Sequence, residues 1–358
     1  MSISTTQAFI DKVNKEYKST LASRGNAVRA MRIPRFSSGV LSLDIVLGGG
    51  WPFGRISQIY GDESTGKTLL TLKASQSVQG YCRTCRLAED ICTCETFEPC
   101  VVAFIDVEGT FDPAWAQTNG FDMDRNAYIR PDYAEQALDI LIAAIESGEF
   151  DLIVLDSIAA LTPAKEIEDS TEQSNMGKRA ILVNRAINKC VSSLNRLATS
   201  GDAKAPALLF LNQVTENIGV LHGDNRIPPG GRRQRFAASV LILTKAVKYE
   251  DGDNKLTAWA ELSGVTKKNK TYVPRRVYNF KLALKDTDGI LAGHVNNEDE
   301  LVKRGKLHGL ITRHDNVVGF GECTARIEDD LKVRLRSEPD VALDLWRQII
   351  RMECCVDV

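Results

Sequence analysis

Short apolar runs alternate with longer amphipathic stretches along this chain. Residues 101–106, 152–156 and 207–213 are apolar runs of strand length, each short enough to be a buried parallel strand, and 55–60 reads as a further short strand. Between them, 67–78 and 133–147 repeat apolar positions at helical spacing; in the second, Ala137, Leu138, Leu141, Ile142 and Ile145 share one face. This alternation reads as an α/β protein with a central, mostly parallel sheet. Residues 8–22 mix apolar and charged positions at helical spacing and precede a basic segment with Arg24, Arg29, Arg32 and Arg35, so 1–36 is expected to form an N-terminal helical arm. Residues 37–50 predict a turn, a short helix and a glycine-rich break.

Further along, 166–177 and 214–231 hold no sustained period and read as loops, and the second is long for a compact domain. The helix between them has an apolar stripe of Leu182, Ala186, Cys190, Leu194 and Leu197, with Lys178, Arg185, Lys189 and Arg196 repeating on another side. A solvated face is the plain reading of that basic side. Strands are expected at 239–244, 256–261 and 271–282, the last two joined by 267–270. From about 284 the pattern shifts to short helices near 298–306 and 341–352 around a small strand region. The expected division is therefore an arm at 1–36, a core at 37–283 and a small α+β C-terminal domain at 284–358.

Composition narrows the classes. The 358 residues carry 45 Lys+Arg against 47 Asp+Glu, so any nucleic-acid site must be a local patch. Arg232, Arg233 and Arg235 form the densest basic cluster. No apolar run approaches the roughly 18 residues of a membrane span, and the polar start lacks the pattern of a signal peptide. A soluble cytoplasmic protein is expected, or one of the host cytoplasm for a viral source.

The most specific stretch is Gly61, Asp62, Glu63, Ser64, Thr65, Gly66, Lys67, Thr68, which fits the phosphate-binding loop G-x-x-x-x-G-K-[ST] between a strand and a helix. Backbone N–H groups and the helix's positive end would hold phosphates, Lys67 would reach the β/γ-phosphates, and the Thr68 hydroxyl would sit on Mg²⁺. Glu108, just past the 101–106 run, can face a γ-phosphate. Asp156, ending another run, is the second carboxylate candidate, with a helix cap as its alternative.

Five of the nine cysteines cluster after the phosphate-loop helix. Cys82-x-x-Cys85 and Cys92-x-Cys94 supply four thiolates that two short turns could aim at one tetrahedral, structural Zn²⁺. A redox pair or free surface thiols are the other readings. Cys100 opens a core strand and reads as a buried apolar residue.

These motifs in this order, with Asp156-Ser157-Ile158-Ala159-Ala160-Leu161, Asn212-Gln213, Ile218-Gly219-Val220, Gly230-Gly231 and Lys268-Asn269-Lys270, resemble the bacterial and phage RecA recombinase family over nearly the whole chain. Only 81–99 is an addition to the usual pattern. The resemblance implies a RecA-type P-loop ATPase core and a DNA-dependent ATPase. It implies polymerisation on single-stranded DNA as a helical filament, pairing with double-stranded DNA and strand exchange in recombination, DNA repair and the SOS response to DNA damage. It makes Glu108 the catalytic glutamate, Gln213 the sensor of the γ-phosphate, and Lys268 and Lys270 the groups that reach a neighbouring protomer's ATP. Asp112 and Trp115 fall at the adenine contact, with tryptophan for the usual tyrosine, and Phe236 and Arg235 at the subunit interface.

The two loops match the family's DNA-binding loops, which implies DNA contacts from Met176, Gly177, Lys178, Arg179, Arg185, Ile218, Gly230, Gly231, Arg232 and Arg233. Ile218 would wedge between base steps, or else pack beneath its loop. Departures from the family pattern are Thr215 and Asn217 where it has an arginine, Ile181 and Asn188 for two more, and Gly109 for a histidine. A branch-migration motor or hexameric helicase built on the same fold is the alternative function.

Overall fold

The computed structural model describes residues 3–17, 22–23, 33–168, 176–200, 204–216, 226–229, 231–251, 257–286 and 290–355. At its centre is a nine-stranded sheet. Six strands run parallel, in the order Ala127–Ile129, Val102–Asp106, Leu152–Asp156, Ala207–Asn212, Ile56–Tyr60 and Val240–Thr244. Thr257–Asn269 then pairs antiparallel with Val240–Thr244 and carries Lys248–Asp251 and Val277–Ala283 as further antiparallel neighbours.

Every residue of the strands Ile56–Tyr60, Val102–Asp106, Leu152–Asp156 and Ala207–Asn212 is buried, as central parallel strands covered on both faces are, and in the first of them this includes the polar Ser57 and Gln58. Alternate side chains feed two cores. Val102, Phe104, Leu152 and Val154 join the phosphate-loop helix Lys67–Val78, Phe36 and Trp51 on one face. Ala103, Ile105, Ile153 and Leu155 meet Ala134–Ser147 and Met176–Ser200 on the other. Along the second helix Val183, Ala186, Ile187, Cys190 and Leu194 are buried, a stripe wider than the expected one, while Arg185 and Lys189 stay exposed.

Three differences from the sequence reading have physical causes. The strand expected at 256–261 continues to Asn269, because Ala258, Ala260, Leu262 and Thr266 keep the buried alternation going through the basic residues. Lys267 and Lys268 therefore lie in the strand, with Lys267 bulged where the register shifts between Leu241 and Ile242. The N-terminal helix is Ile3–Glu16, earlier than periodicity placed it. Pro113–Thr118, Ala127–Ile129 and Arg232–Ala237 are too short to show a period.

The C-terminal segment has Glu298–Leu307, Glu328–Ser337 and Pro339–Cys354 as helices beside a three-stranded sheet at 312–325. Its apolar cluster includes Leu301, Leu331, Leu345 and Ile349, and also takes in Leu41 and Ile45 from the helix Leu41–Leu47.

Gly50 bridges the strand pair Arg35–Phe36 and Trp51–Pro52 at a φ of 107°, and a Cβ there would lie 2.1 Å from the Phe36 carbonyl oxygen. Gly50→Ala is therefore expected to cost about 2–4 kcal/mol of stability, read as a lowered urea midpoint at unchanged slope.

Candidate nucleotide site and metal centre

The phosphate loop leaves Tyr60 at the end of its buried strand and enters the helix Lys67–Val78 through Gly66, whose φ is 80°. A Cβ at Gly66 would sit 2.1 Å from Leu262 Cδ2, and one at Gly61 would sit 2.0 Å from Thr244 Oγ1. Both glycines are thus fixed by backbone conformation or close packing. Thr65 Oγ1 braces the loop through the Asp62 carbonyl at 2.8 Å and Thr244 Oγ1 at 2.7 Å. Lys67 Nζ donates to the Gly61 and Asp62 carbonyls at 3.1 and 2.6 Å, so the ammonium lies along the loop it would serve. Burial lowers its pKa, opposed by Glu108, Asp156, Asp62 and Glu63.

Asp156 and Glu108 converge on this loop. Thr68 Oγ1 donates to Asp156 Oδ2 at 2.8 Å, which brings together the pair expected to hold Mg²⁺. The Asp156 carbonyl accepts from Val107 N at 2.7 Å and Glu108 N at 3.3 Å. Ser157 Oγ donates to Glu108 Oε1. Asp106, which the sequence reading passed over, accepts from Gly109 N at 2.7 Å, Phe111 N at 3.1 Å and Tyr128 Oη at 3.1 Å. It fixes the turn that carries Glu108. Burial, then repulsion from Glu108 and Asp106, pushes Asp156 up to about 7 against the Thr68 hydrogen bond and Lys67. At Gly109, the position of the family's histidine, a Cβ would lie 2.7 Å from the Arg130 guanidinium.

Asp112 caps the helix Pro113–Thr118 by accepting from Trp115 N at 3.0 Å, and the half-buried Trp115 packs on the core. Gln213 is exposed at the end of Ala207–Asn212, its N–H held by Asn212 Oδ1 at 3.0 Å. Asn212 also donates to the Pro229 carbonyl at 3.1 Å, tying this strand end to the far end of the second loop. Arg226, unmarked by any motif, lies 3.7 Å from Asp62 and links that loop to the phosphate loop.

Lys268 and Lys270 lie away from their own phosphate loop. Lys268 is level with Gln58 through Leu241, and Lys270 N bonds the Ser239 carbonyl, level with Ile56. At about 3.3 Å per residue they fall roughly 10–17 Å short of Gly61 along the strand. Both donate to the Phe236 carbonyl, at 3.2 and 2.9 Å, and Lys268 also donates to the Arg235 carbonyl. Burial and neighbouring Lys270 lower Lys268 to about 8. Phe236 beside them is 68 % exposed.

Of the expected DNA contacts, Arg179 is half-buried and Arg185 exposed on the helix Met176–Ser200, and Gly231 is exposed at the start of Arg232–Ala237. Arg233 Nε donates to Asn188 Oδ1 at 2.8 Å, joining the two helices. Arg196 is paired with Glu146 at 2.8 Å. Ile218 and Gly230 lie outside the described residues, as do the side chains of Met176, Lys178 and Arg232.

The four cysteines of the insert bring their sulfurs within 4.8 Å of one another. Cys82 Sγ is 3.8 Å from Cys94 Sγ, and Cys85 Sγ is 3.6 Å from Cys92 Sγ. A tetrahedral Zn–S₄ centre with bonds of about 2.3 Å spaces its sulfurs by about 3.8 Å, so the set fits zinc. Burial raises the Cys82 thiol pKa, but N–H groups of Cys85, Glu98 and Thr84 outweigh it and bring the thiol down to about 6. Cys100 is buried outside this set.

The family model for the RecA N-terminal domain matches residues 4–290. Proteins named Protein RecA from Mesomycoplasma hyopneumoniae strains 7448, J and 232 are each 32% identical over 317 residues, covering 88% of this chain and 85% of the relative.

A folded-state pKa of about 7 for Asp156, above the ordinary 3.8, means that the folded, nucleotide-free protein holds this proton more tightly than the unfolded chain. Asp156 thus subtracts stability progressively as pH rises from about 4 to about 7. Asp156→Asn should raise the denaturation free energy by on the order of 2 kcal/mol above pH 7, with the gain fading towards pH 4. Urea titrations of both proteins across that range check it; a gain independent of pH would reject the carboxylate as its source.

Proposed function

The chain belongs to the RecA family, and from that premise we propose an ATP-driven recombinase that polymerises on single-stranded DNA and exchanges strands with a homologous duplex. The observation that carries the reading is the split between the two halves of the ATP chemistry. Lys67, Thr68, Glu108 and Asp156 gather at one end of the sheet, while Lys268 and Lys270 sit towards the other with the exposed Phe236. One chain holds the nucleotide; its lysines can serve only another copy's. A filament in which ATP lies between protomers satisfies that geometry.

In this reading the Gly61–Thr68 loop and Lys67 bind the triphosphate, Asp112 and Trp115 border the adenine, and Thr68 with Asp156 hold Mg²⁺. The metal supplies neutralisation of phosphate charge. Glu108, steadied by Ser157 and by the Asp106 turn, orients the attacking water and takes its proton. Lys268 and Lys270 of the next protomer stabilise charge as the γ-phosphoryl group leaves, the role of an arginine finger. Gln213 senses that group and passes its presence to the second loop. Arg179, Arg185 and Arg233, with the loop segments at Met176–Lys178, Ile218 and Gly230–Arg232, grip the DNA through its backbone, so affinity falls steeply with salt. Cys82, Cys85, Cys92 and Cys94 hold a structural Zn²⁺, since no open ligand position or neighbouring base equips it for catalysis. The setting for this work is the cytoplasm, where no described helix has to cross a membrane.

Electron microscopy with single-stranded DNA and a non-hydrolysable ATP analogue, paired with a strand-exchange assay, tests the proposal. Right-handed filaments with exchange are expected; closed rings without exchange would favour the motor reading. In a DNA-dependent ATPase assay, Glu108→Gln should lose at least about a hundredfold in turnover while still binding ATP and DNA. Undiminished hydrolysis would remove Glu108 from its role.

A further inference from the structure

The insert touches two parts of the protein. On the core side, the knuckle around Cys82 and Cys85 is fastened by Arg86, whose guanidinium pairs with Asp151 at 2.6 Å, both side chains only 3 % exposed. Asp151 in turn accepts from Val101 N at 2.9 Å, so the anchor is the start of two central strands. Bridges between Cys82 and Pro99 and between Tyr81 and Ala88 fix the base of the insert. On the outer side, Asp90 forms a two-pronged pair with Arg347 of the helix Pro339–Cys354, with Nη2 to Oδ1 at 2.7 Å.

Beneath this pair lies a cavity of about 900 Å³, bounded by Leu87 and Ile91 of the insert, Arg35 and Ser37 of the core, and Leu343 and Trp346 of the C-terminal helix. Across that gap the insert and the C-terminal helix are joined by this charged pair. Asp90 sits between Cys85 and Cys92, in the single turn Glu89–Ile91. Its position therefore depends on what closes the 85–92 loop, because an unclosed loop of that length samples many arrangements.

We propose that the insert, with its four cysteines closed on one Zn²⁺, is a strut that fixes the C-terminal helix Pro339–Cys354 against the ATPase core through Asp90 and Arg347. The inference rests on the zinc reading of the cysteines. Metal closure makes the 85–92 turn rigid, and a rigid turn presents both Asp90 oxygens to the guanidinium, a geometry a flexible loop would have to order at entropic cost. The bare pair, half-exposed on the Asp90 side, would contribute little. Zinc thereby acts at the C-terminal helix without touching it.

The test uses the full-length protein in three states: as purified, stripped by a chelator under reducing conditions, and as an Arg347→Met variant. Metal content is read by mass spectrometry and amide hydrogen exchange along 339–354 by peptide. One zinc per chain is expected in the untreated protein and in Arg347→Met, none after stripping. Exchange in 339–354 should rise about tenfold in both the stripped and the Arg347→Met proteins, with 152–156 unchanged. Re-adding zinc should restore protection to the stripped protein but not to the variant. One zinc per chain in the untreated protein, none after stripping, and equal protection of 339–354 in all three states would overturn the strut and leave the metal site standing. A chain that purifies and reconstitutes without zinc would overturn both. Cys92→Ser, if it folds, should match the stripped state.

Discussion

Asp156 is the constraint on which the nucleotide end of the molecule depends. Its strand places it next to the phosphate-loop strand's neighbour, its carboxylate takes the Thr68 hydroxyl, and its carbonyl takes the N–H groups of Val107 and Glu108. One residue thus ties the phosphate loop to the backbone that carries Glu108. That concentration has an energetic cost. Three acids, Asp106, Glu108 and Asp156, lie close together; Asp106 and Asp156 are buried, and burial with repulsion from the other two pushes Asp156 up to about 7. A site that must receive a phosphate-bound cation is preorganised by charge it cannot comfortably hold alone. Asp106 accepts from two backbone N–H groups and from Tyr128, which makes it the anchor of the turn that carries Glu108.

The parts that were legible in the sequence share a physical property: their local pattern had one solution. Three of the four all-buried strands show as apolar runs that end in a polar residue, and the eight-residue phosphate loop is constrained at Gly61 and Gly66 by close approach. The cysteine spacing was readable because four sulfurs in 13 residues can meet only by folding into two turns. What was not legible depends on distant partners. Asp106 looks like the end of a strand until Gly109, Phe111 and Tyr128 fold around it. The basic run at 267–270 looks like a connection, since past Leu262 the buried positions are Gly264, Thr266 and Asn269, none of them an apolar side chain that would mark a strand. Arg226 carries no motif; only its approach to Asp62 reveals it.

The antiparallel extension of the sheet determines where Lys268 and Lys270 lie. Thr257–Asn269 runs against the parallel strands, so its C-terminal end arrives beside the start of Ile56–Tyr60 and not beside its phosphate-bearing end. The helix Arg232–Ala237 stands there, and its C-terminal carbonyls of Arg235 and Phe236 receive both lysines. Cations at a helix C-terminus are favourably placed, so the resting position of Lys268 and Lys270 is a stable one. Phe236 remains exposed on the same helix.

A second coupling runs inside the chain, through buried amides. Gln58, in the middle of the phosphate-loop strand, donates to Gln234 Oε1 at 3.1 Å, and Asn212 donates to the same oxygen at 3.3 Å. Gln234 and Asn212 both donate to the Pro229 carbonyl. The phosphate-loop strand, the strand that ends at Gln213 and the returning end of the second loop are therefore joined in one network. Buried amides are costly to separate, because each group left unpaired forfeits its solvation as well as its bond. Pro229 is the fixed point of the second loop on its far side, and Gln213 borders it on the near side.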